Sequence, residues 1–396
     1  MNYFIKNIHI NKLFHLENFD IPIADAKYPH LIITGKNGSG KTVLLNAIAN
    51  LLEQLPNDKD IEFMIRNRYI SQLWDYDLNN VKSFGYTGNN IKCDIVSLGY
   101  IVEQYRKGDF IMAIYQADRH VKMIEPDSPQ KPQVGDVSNV RETVSDQFIK
   151  FLVDLKFQEL LAISDQNKER EQSIKSWFKG FESLLKGIFL NDDLRLDFDQ
   201  ENKYSFKIVM GEQKFGFNEM SDGFKAAINI VSDLILKMQH GSKLSDAYQK
   251  EGIVLIDEIE THLHLELQRI IMPFLTKTFP NIQFIVTTHS PFVLNSMPDA
   301  VAFDLEHRKV LDDLTEYSYE SLAEGYFGVR TPSSYAEMQL GTLNSLLDKE
   351  TWTDADKVAI RQLRSEFEKI SETASPLIVG GFRQLMIQNS DKLKNL

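Results

Sequence analysis

The chain has 396 residues, of which 43% are hydrophobic and 25% are charged, the composition of a globular protein with a sizeable core. Its formal net charge of −12 argues against unspecific coating of nucleic acid, although it leaves room for one basic face that binds DNA. The single cysteine excludes an internal disulfide framework and a multi-cysteine zinc site. We find neither an apolar run of roughly 18 residues, as a membrane span requires, nor the apolar segment of a signal peptide, so we expect a cytoplasmic protein without membrane contact.

In the first segment, residues 3–23, short apolar pieces alternate with polar residues, which predicts antiparallel strands covered on one face. The apolar run Leu31-Ile32-Ile33 then predicts a buried strand. Directly after it stands the sequence Gly35-Lys36-Asn37-Gly38-Ser39-Gly40-Lys41-Thr42.

The spacing of the glycines, the lysine and the threonine in that sequence is typical of a phosphate-binding loop. In such a loop, backbone N–H groups surround the phosphates, Lys41 brings positive charge to the β- and γ-phosphates, and the hydroxyl of Thr42 binds magnesium. The apolar stretch 43–49 predicts a helix whose N-terminus faces the phosphates. A glycine-rich turn without a ligand is the alternative. Phe14 or His15 either stacks on an adenine or packs into the core.

Residues 61–100 carry strand-like pieces around turns and predict a β-rich subdomain. Residues 109–115 form a short apolar strand that ends at Gln116, where polar side chains predict a loop on the magnesium side. The proline-rich stretch 125–132 marks a boundary. From residue 138 to about 190 the apolar spacing turns helical and predicts two helices, whose alternating charges indicate a solvated face or, alternatively, a surface that contacts DNA or a partner.

Strand-like residues at 194–198 and 204–209 predict a hairpin, after which Ser221, Asp222 and Gly223 begin an apolar helix. Ser221 taken alone could simply be an N-cap. The buried strand 253–256 ends in Asp257-Glu258, and this pair fits a magnesium-binding acid followed by an acid that activates water. The next strand, 282–286, ends near His289, which either reaches a terminal phosphate or is structural.

The remaining residues carry a strand at 301–305 and an amphipathic helix with Ile360, Leu363, Phe367 and Ile370 on one face. Asp354 and Asp356 suggest a nuclease metal pair at first sight. We reject that interpretation because no apolar strand precedes them and because Thr353 followed by acids is an ordinary helix start.

Taken in order, the phosphate-binding loop, Gln116, residues 221–223, the acidic pair and His289 resemble the nucleotide-binding domain of ABC-class ATPases. The acidic and histidine-rich stretch 257–264, the sequence Thr-His-Ser-Pro at 288–291 and the helical insertion make the chain similar to the soluble SMC, RecF and OLD-like branch. The layout, including residues 319–328, is similar to small ATPases of bacterial anti-phage systems of the Septu and retron-associated kind.

This resemblance implies an α/β fold: an ABC-type P-loop ATPase head with a mixed sheet and helices, a helical insertion and a mostly helical C-terminal extension. The expected domains are an N-terminal ATPase lobe at 1–130, the insertion at 131–190, a C-terminal ATPase lobe at 191–305 and the extension at 306–396. The core of the resemblance covers residues 1–125 and 191–305.

The implied cofactors are ATP and Mg²⁺. The resemblance places the phosphates on the loop, magnesium near Thr42, Asp257 and Gln116, and catalysis on Glu258 as general base with His289 at the γ-phosphate. The loop residues concerned are Gly35, Asn37, Gly38, Ser39, Gly40, Lys41 and Thr42. Ser221 and Gly223 would contact the nucleotide of a second protomer, so ATP would hold a homodimer or higher homo-oligomer together. Two departures from the family pattern are Asp222, where a second glycine is common, and residues 261–264, where Ser-x-x-Asp is common.

Three functions compete at this stage. The first is an ATP-switched dimer that controls an effector protein, a nuclease encoded nearby, in anti-phage defence. The second is a DNA-repair ATPase that binds DNA ends, and the third is an ATPase subunit of a transporter. We expect no nuclease chemistry in this chain itself, and we expect it to hold its partner through its helical parts.

Overall fold

The computed structural model describes residues 4–23, 29–67, 84–87, 90–119, 121–133, 139–199, 204–239, 244, 248–311, 314, 322, 334–371 and 375–393. The chain divides into two compact units, Met1–Tyr319 and Glu320–Leu396. Within the described ranges, every helix is too short or too polar to cross a membrane.

The described strands of the first unit form three sheets. They are β1 (Ile5–Leu13), β2 (Leu16–Pro22), β3 (His30–Thr34), β4 (Phe84–Thr87), β5 (Ile91–Ile95), β6 (Phe110–Tyr115), β7 (Arg195–Asp199), β8 (Ser205–Met210), β9 (Gln213–Gly216), β10 (Glu251–Ile256), β11 (Ile282–Thr287), β12 (Ala300–Asp304) and β13 (Lys309–Leu311). Its helices are α1 (Lys41–Gln54), α2 (Lys59–Asn67), α3 (Leu98–Lys107), α4 (Phe148–Ser164), α5 (Lys168–Phe189), α6 (Asp222–Gln239), α7 (Leu265–Thr278) and α8 (Pro291–Leu294).

The central sheet has the strand order β13-β12-β3-β11-β10-β6, and all of its pairings are parallel except the edge pair of β12 and β13. Strands β3, β6 and β11 are buried along their whole length, as expected for parallel strands covered on both faces. The carboxyl ends of these parallel strands therefore meet at one edge of the sheet. The segments that begin at residues 35, 116, 257 and 288 all start there.

A second sheet, with the order β2-β1-β5-β4, is antiparallel, which confirms the prediction for residues 3–23. It is joined to the central sheet by the buried side chain of Gln283 on β11. The Oε1 atom of Gln283 accepts hydrogen bonds from the backbone N–H groups of Phe4 and Ile5, and its Nε2 donates to the carbonyls of Ile5 and Pro29. These bonds tie the start of β1 and the residue before β3 to β11.

The prediction of a β-rich subdomain over residues 61–100 is wrong in part. Ile61 belongs to α2, whose first turn is capped by the carboxylate of Asp58, and the segment from Leu98 onward belongs to α3. The buried side chains of α3 recur at helical spacing, and Gly108 ends the helix in a left-handed conformation. Strands β4 and β5 are the part of the prediction that is confirmed; residues 68–83 and 88–89 lie outside the described residues.

The two helices predicted between residues 138 and 190 are confirmed as α4 and α5, and residue 138 itself lies outside the described residues. They pack through aromatic side chains: the ring centroids of Phe148 and Phe181 are 5.2 Å apart, as are those of Phe151 and Trp177. The predicted hairpin is confirmed as β7 and β8, and β9 adds a third antiparallel strand.

The second unit contains α9 (Ser334–Leu347), α10 (Asp354–Phe367), α11 (Pro376–Gln388) and α12 (Ser390–Leu393). Its core includes Leu343, Leu347, Ile360, Leu363, Phe367, Ile378 and Phe382. Ile370 lies beyond the end of α10 but still packs against this core. Of the segment 319–328, only Leu322 is described. The mixed sheet with helices and the helical C-terminal region confirm the predicted fold class.

Candidate functional site

The glycine-rich loop connects β3 to α1, and its glycines are required by the backbone. Gly35 has a φ of 137° and Gly40 a φ of 97°, both in the region that side chains disfavour. A Cβ atom on Gly35 would lie 2.9 Å from the Ser39 hydroxyl, and one on Gly40 would lie 3.0 Å from a methyl group of Leu16. The loop can therefore close around the start of α1 only with glycine at these positions.

Lys41, the first residue of α1, is buried and points into this loop. Its Nζ donates hydrogen bonds to the carbonyls of Gly35 at 2.8 Å and Lys36 at 3.1 Å. Burial lowers the pKa of Lys41, and the neighbouring carboxylates, Glu258 first among them, act in the opposite direction. The chain thus holds a partly desolvated cation inside the glycine-rich loop.

A cavity of about 310 Å³ opens at this loop. Four separate segments line it, namely the β1–β2 turn, the glycine-rich loop with the first turn of α1, the end of β10 and the end of β11. The lining residues are Leu13, Phe14, His15, Asn37, Gly38, Gly40, Lys41, Thr42, Val43, Glu258 and His289. Most of the residues that the sequence proposes for phosphate binding and catalysis therefore share one cavity, and Phe14 is 77% exposed at its rim.

The acidic pair follows β10 in an unusual backbone conformation. Glu258 has a φ of 42°, in the left-handed region, whereas Asp257 continues the strand pairing through its N–H to the carbonyl of Tyr115. The hydroxyl of Thr287, at the end of β11, donates to Asp257 Oδ1 at 2.6 Å and accepts from the N–H of Glu258 at 2.8 Å. One threonine therefore fixes both acids, with Asp257 buried and Glu258 facing the cavity.

His289 reaches the cavity from the end of β11, and a third acid holds its backbone. The carboxylate of Glu260 accepts hydrogen bonds from the N–H of His289 at 2.5 Å and the hydroxyl of Thr288 at 2.7 Å. Burial lowers the pKa of His289, and the charge of Lys41 lowers it further, against the effect of the carboxylates. The sequence analysis missed the role of Glu260, although its place two residues after Glu258 in an acidic run was a usable signal.

Arg119 is a second residue that the sequence analysis missed. It is 6% exposed, and its guanidinium donates to several carbonyls of the loop that begins at Asp257. Burial lowers the pKa of Arg119 to about 10, so the group stays protonated at neutral pH. The only sequence signal was a charged residue three positions after Gln116.

The structure does not bring Gln116, Ser221 or Gly223 to the cavity that Lys41 lines. Gln116 is exposed and its Nε2 donates to Asn46 Oδ1 on α1 at 3.2 Å. Ser221 is exposed immediately before α6, whereas Gly223 is buried against the following loop of the same chain. A Cβ atom on Gly223 would lie 2.7 Å from the carbonyl oxygen of His262, so this glycine has a packing role within one chain.

The donor atoms near the loop suit magnesium. Thr42 is an exposed hydroxyl at the cavity and Glu258 lines it with a carboxylate, while the buried carboxylate of Asp257 lies close enough to raise the pKa of Lys41. These oxygen donors match the preference of a hard cation. Within the described ranges, we find no cluster of three or more His, Cys, Asp or Glu side chains that would hold a metal by itself. A magnesium site of this kind needs only a few protein oxygens, because the phosphates of the substrate are further ligands of the ion. Thr42 and Asp257 therefore fit a magnesium ion that arrives with a nucleotide.

Parts of this chain are similar to known proteins. A family model described as "AAA domain, putative AbiEii toxin, Type IV TA system" matches residues 137–295. The chain is 25% identical to the Septu protein PtuA of Bacillus mycoides strain KBAB4 over 395 residues, which is 93% of this chain and 52% of that protein. It is 30% identical to the Retron Vc95 probable ATPase of Vibrio cholerae serotype O1 biovar El Tor over 178 residues, which is 44% of this chain and 33% of that protein.

The chain thus spans between about a third and about half of the length of these relatives. Among solved structures, an SMC head bound to the C-winged-helix domain of ScpA aligns with 80% of this chain and all of that one, at 16% identity and a TM-score of 0.39, which is too low to bear on the assignment. The glycine-rich loop and the acidic pair form a P-loop type of site at the edge of the sheet. In sequence, the chain is similar to the AAA domain of the matching family model, to a Septu protein and to a retron probable ATPase.

Proposed function

We propose that this chain binds ATP with magnesium and hydrolyses it to ADP and phosphate. The observation that carries the proposal is that Lys41, Thr42, Glu258 and His289 line one cavity although they come from three distant segments. The name of the retron relative, a probable ATPase, supports the same activity.

In this proposal each side chain has a separate task. Lys41 and the loop amides neutralise the phosphates, and Glu258 accepts the proton of the attacking water. His289, whose lowered pKa favours the neutral form, hydrogen-bonds the terminal phosphate. Thr42 and Asp257 hold the magnesium ion, which supplies positive charge to the phosphate oxygens when it is bound.

The proposal includes an ATP-dependent dimer. Ser221 is exposed at the start of α6, a helix of 18 residues, and it does not line the cavity of its own chain. The start of such a helix favours an anion. It would meet a phosphate only in a second copy, so the nucleotide would hold two chains together head to tail.

The proposed biological role is that of a switch in bacterial anti-phage defence. It rests on the similarity to a Septu protein and to retron ATPases, and it gives the ATP-bound dimer the task of controlling a partner effector, a nuclease in our proposal. This chain matches only part of each relative, so the partner effector and its nuclease activity belong to the proposal.

The experiment that tests the activity is Glu258→Gln. This change keeps the size of the side chain but removes the proton acceptor, so ATP affinity should stay within about threefold while phosphate release falls at least 100-fold. The matched control is Glu266→Gln, an exposed carboxylate eight positions further on, which should leave both quantities unchanged. Hydrolysis at the original rate in Glu258→Gln would remove Glu258 from its role.

A further inference from the structure

Arg119 is a buried cation. In the hydrogen bonds that the structure shows, its guanidinium donates to main-chain carbonyls. Its two terminal nitrogens donate to the carbonyls of Asp257 at 2.9 Å, Glu258 at 3.0 Å, Ile259 at 3.3 Å and Thr261 at 3.4 Å. Burial of a guanidinium is costly, and a buried arginine usually pairs with a carboxylate. An arginine that instead donates to four carbonyls of one loop fixes the path of that loop, which we call the acid loop, residues 257–262.

The second residue of this loop, Glu258, is the proposed general base. Glu258 has a left-handed backbone with a φ of 42°, a conformation that costs roughly 1–2 kcal/mol for a residue other than glycine. Its N–H donates to the hydroxyl of Thr287, and its carbonyl accepts from Arg119. The strained residue is therefore held on both sides, and Arg119 supplies the second hold.

The backbone of Arg119 is itself tied to the helix that follows the exposed Ser221. Asn229, buried on α6, donates from Nδ2 to the carbonyl of Arg119 at 2.7 Å. Near its start, α6 packs through Gly223 against the carbonyl of His262, the last residue of the acid loop. Two separate contacts thus connect α6 to the acid loop, one direct and one through Arg119.

We infer that Arg119 is a positioning residue for hydrolysis: it holds Glu258 in its strained, cavity-facing conformation, and through Asn229 it couples that conformation to the position of α6. The inference rests on the proposed ATPase function. It assigns no contact with the nucleotide to Arg119, because the phosphates belong to Lys41 and the glycine-rich loop. Loss of Arg119 therefore leaves nucleotide binding in place and lets the acid loop relax.

The test compares Arg119→Ala, Arg119→Lys and Asn229→Ala in the full chain. For Arg119→Ala we expect ATP affinity within about threefold of the original and a fall in kcat of tenfold or more, since a small displacement of a catalytic group can cost about 100-fold. Arg119→Lys keeps the charge but replaces the planar fork of guanidinium donors with a single nitrogen, which should hold fewer of the four carbonyls, so kcat should also fall. Asn229→Ala should show a smaller fall in kcat, again with affinity kept.

Chemical rescue separates a positioning role from a merely structural one. Guanidinium ion at low millimolar concentration should restore part of the rate in Arg119→Ala and none in Arg119→Lys, whose side chain still fills the space. The matched control is Arg106→Ala, because Arg106 also donates to a main-chain carbonyl, that of Pro56, far from the acid loop. This control should hydrolyse ATP normally and should not respond to guanidinium.

Hydrogen exchange gives a readout that does not depend on turnover. In Arg119→Ala the amides of Glu258, Ile259 and Thr261, which are hydrogen-bonded in the structure, should exchange faster, while those of the strand preceding the glycine-rich loop stay protected. If the original chain never hydrolyses ATP but these amides still exchange faster in Arg119→Ala, the proposed function is refuted while the role of Arg119 in holding the acid loop stands. Unchanged exchange, a normal kcat in Arg119→Ala, or loss of nucleotide binding in Arg119→Lys would overturn the inference.

Discussion

The hydroxyl of Thr287 donates a hydrogen bond of 2.6 Å to the carboxylate of Asp257, across two neighbouring parallel strands. The same oxygen accepts the N–H of Glu258. Both partners of this hydroxyl would be left without their hydrogen bonds in Thr287→Val, a change of nearly equal volume, and each such loss costs about 1–3 kcal/mol in a buried place. We expect a large fall in kcat, whereas Thr287→Ser should keep most of the activity.

The control for this change is Thr276→Val on α7, because that buried hydroxyl bonds only to carbonyls and a sulfur atom nearby. It should affect stability slightly and turnover not at all. Equal phosphate release from Thr287→Val and the original chain, measured at saturating ATP, would show that Thr287 does not hold the acids in their working positions.

If each nucleotide site combines Lys41 of one chain with Ser221 of the other, two inactive variants should restore activity to each other when mixed. Lys41→Ala removes the cation that binds the phosphates, and Ser221→Arg blocks the start of α6, so each homodimer should be inactive. A mixed dimer places both lesions in one site and leaves the other site whole. Under random mixing about half of the dimers are mixed, so hydrolysis should return towards about a quarter of the original rate. Ser221 is the better second lesion, since Gly223 packs against His262 in its own chain and its replacement would disturb the fold.

The mixture must be shown to contain heterodimers, for example by copurification of two differently tagged chains. Two copies of the same variant, mixed in the same way, are the control. Heterodimers that form but never hydrolyse ATP would rule out that Ser221 acts on the nucleotide bound by the partner chain.

The sequence predicted the fold class through the resemblance of its motifs to ABC-class ATPases. The apolar residues of β3 and β10 agree with that class, because parallel strands covered on both faces read as nearly continuous apolar runs. Polar residues directly after such strands fall at one edge of the sheet, which favoured a shared site for Glu258 and His289, and the resemblance then implied their roles. The structure brings them to one cavity with Lys41, and their chemical roles stay predictions.

The sequence could not predict contacts between a side chain and the main-chain atoms of a residue far away in the sequence. Arg119 and Glu258 are far apart in the sequence, and the atom of Glu258 that Arg119 contacts is a carbonyl oxygen, which every residue has. No side-chain pattern encodes such a contact. The same holds for Gly223, whose close neighbour is the carbonyl of His262. The error at α2 and α3 had another cause, since short apolar pieces fit both strand and helix spacing.

A buried histidine predicts how stability depends on pH. His30 on β3 is 1% exposed; its Nδ1 accepts the N–H of Phe284, and burial lowers its pKa to about 4. Between that value and the ordinary pKa of about 6.5, the unfolded chain binds a proton that the folded chain does not. The free energy of unfolding therefore decreases as the pH drops through this window, by roughly 3 kcal/mol in total from His30.

His30→Asn keeps an acceptor near Nδ1 and removes the titrating group. Urea unfolding at pH 7.5 and pH 5 should show a smaller loss of stability on acidification in the variant than in the original chain, whatever the cost of the substitution at pH 7.5. His307→Asn is the control, because its ring is mostly exposed and already pairs with Asp304. An identical difference between the two pH values in His30→Asn and the original chain would mean that His30 does not remain neutral on folding.

The last prediction concerns the acids that resemble a nuclease pair, Asp354 and Asp356. Asp356 is committed to the start of α10: its carboxylate accepts the N–H and hydroxyl of Thr353, its own N–H donates back to that hydroxyl, and Lys349 pairs with it at 2.7 Å. These hydrogen bonds and the lysine lower the pKa of Asp356 to about 2. A carboxylate so engaged is a helix cap, and Thr353→Ala should cost about 1 kcal/mol of stability in this unit.

We therefore expect the purified chain, incubated with DNA or RNA, ATP, and magnesium or manganese, to leave the nucleic acid intact. The double variant Asp354→Asn, Asp356→Asn should differ from the original chain in thermal stability and in nothing else. Should the original chain cut nucleic acid through repeated purification, and should the double variant lose that cleavage while keeping its fold and its ATP binding, these acids would form a catalytic pair. Effector chemistry would then belong to this chain itself and not to a partner.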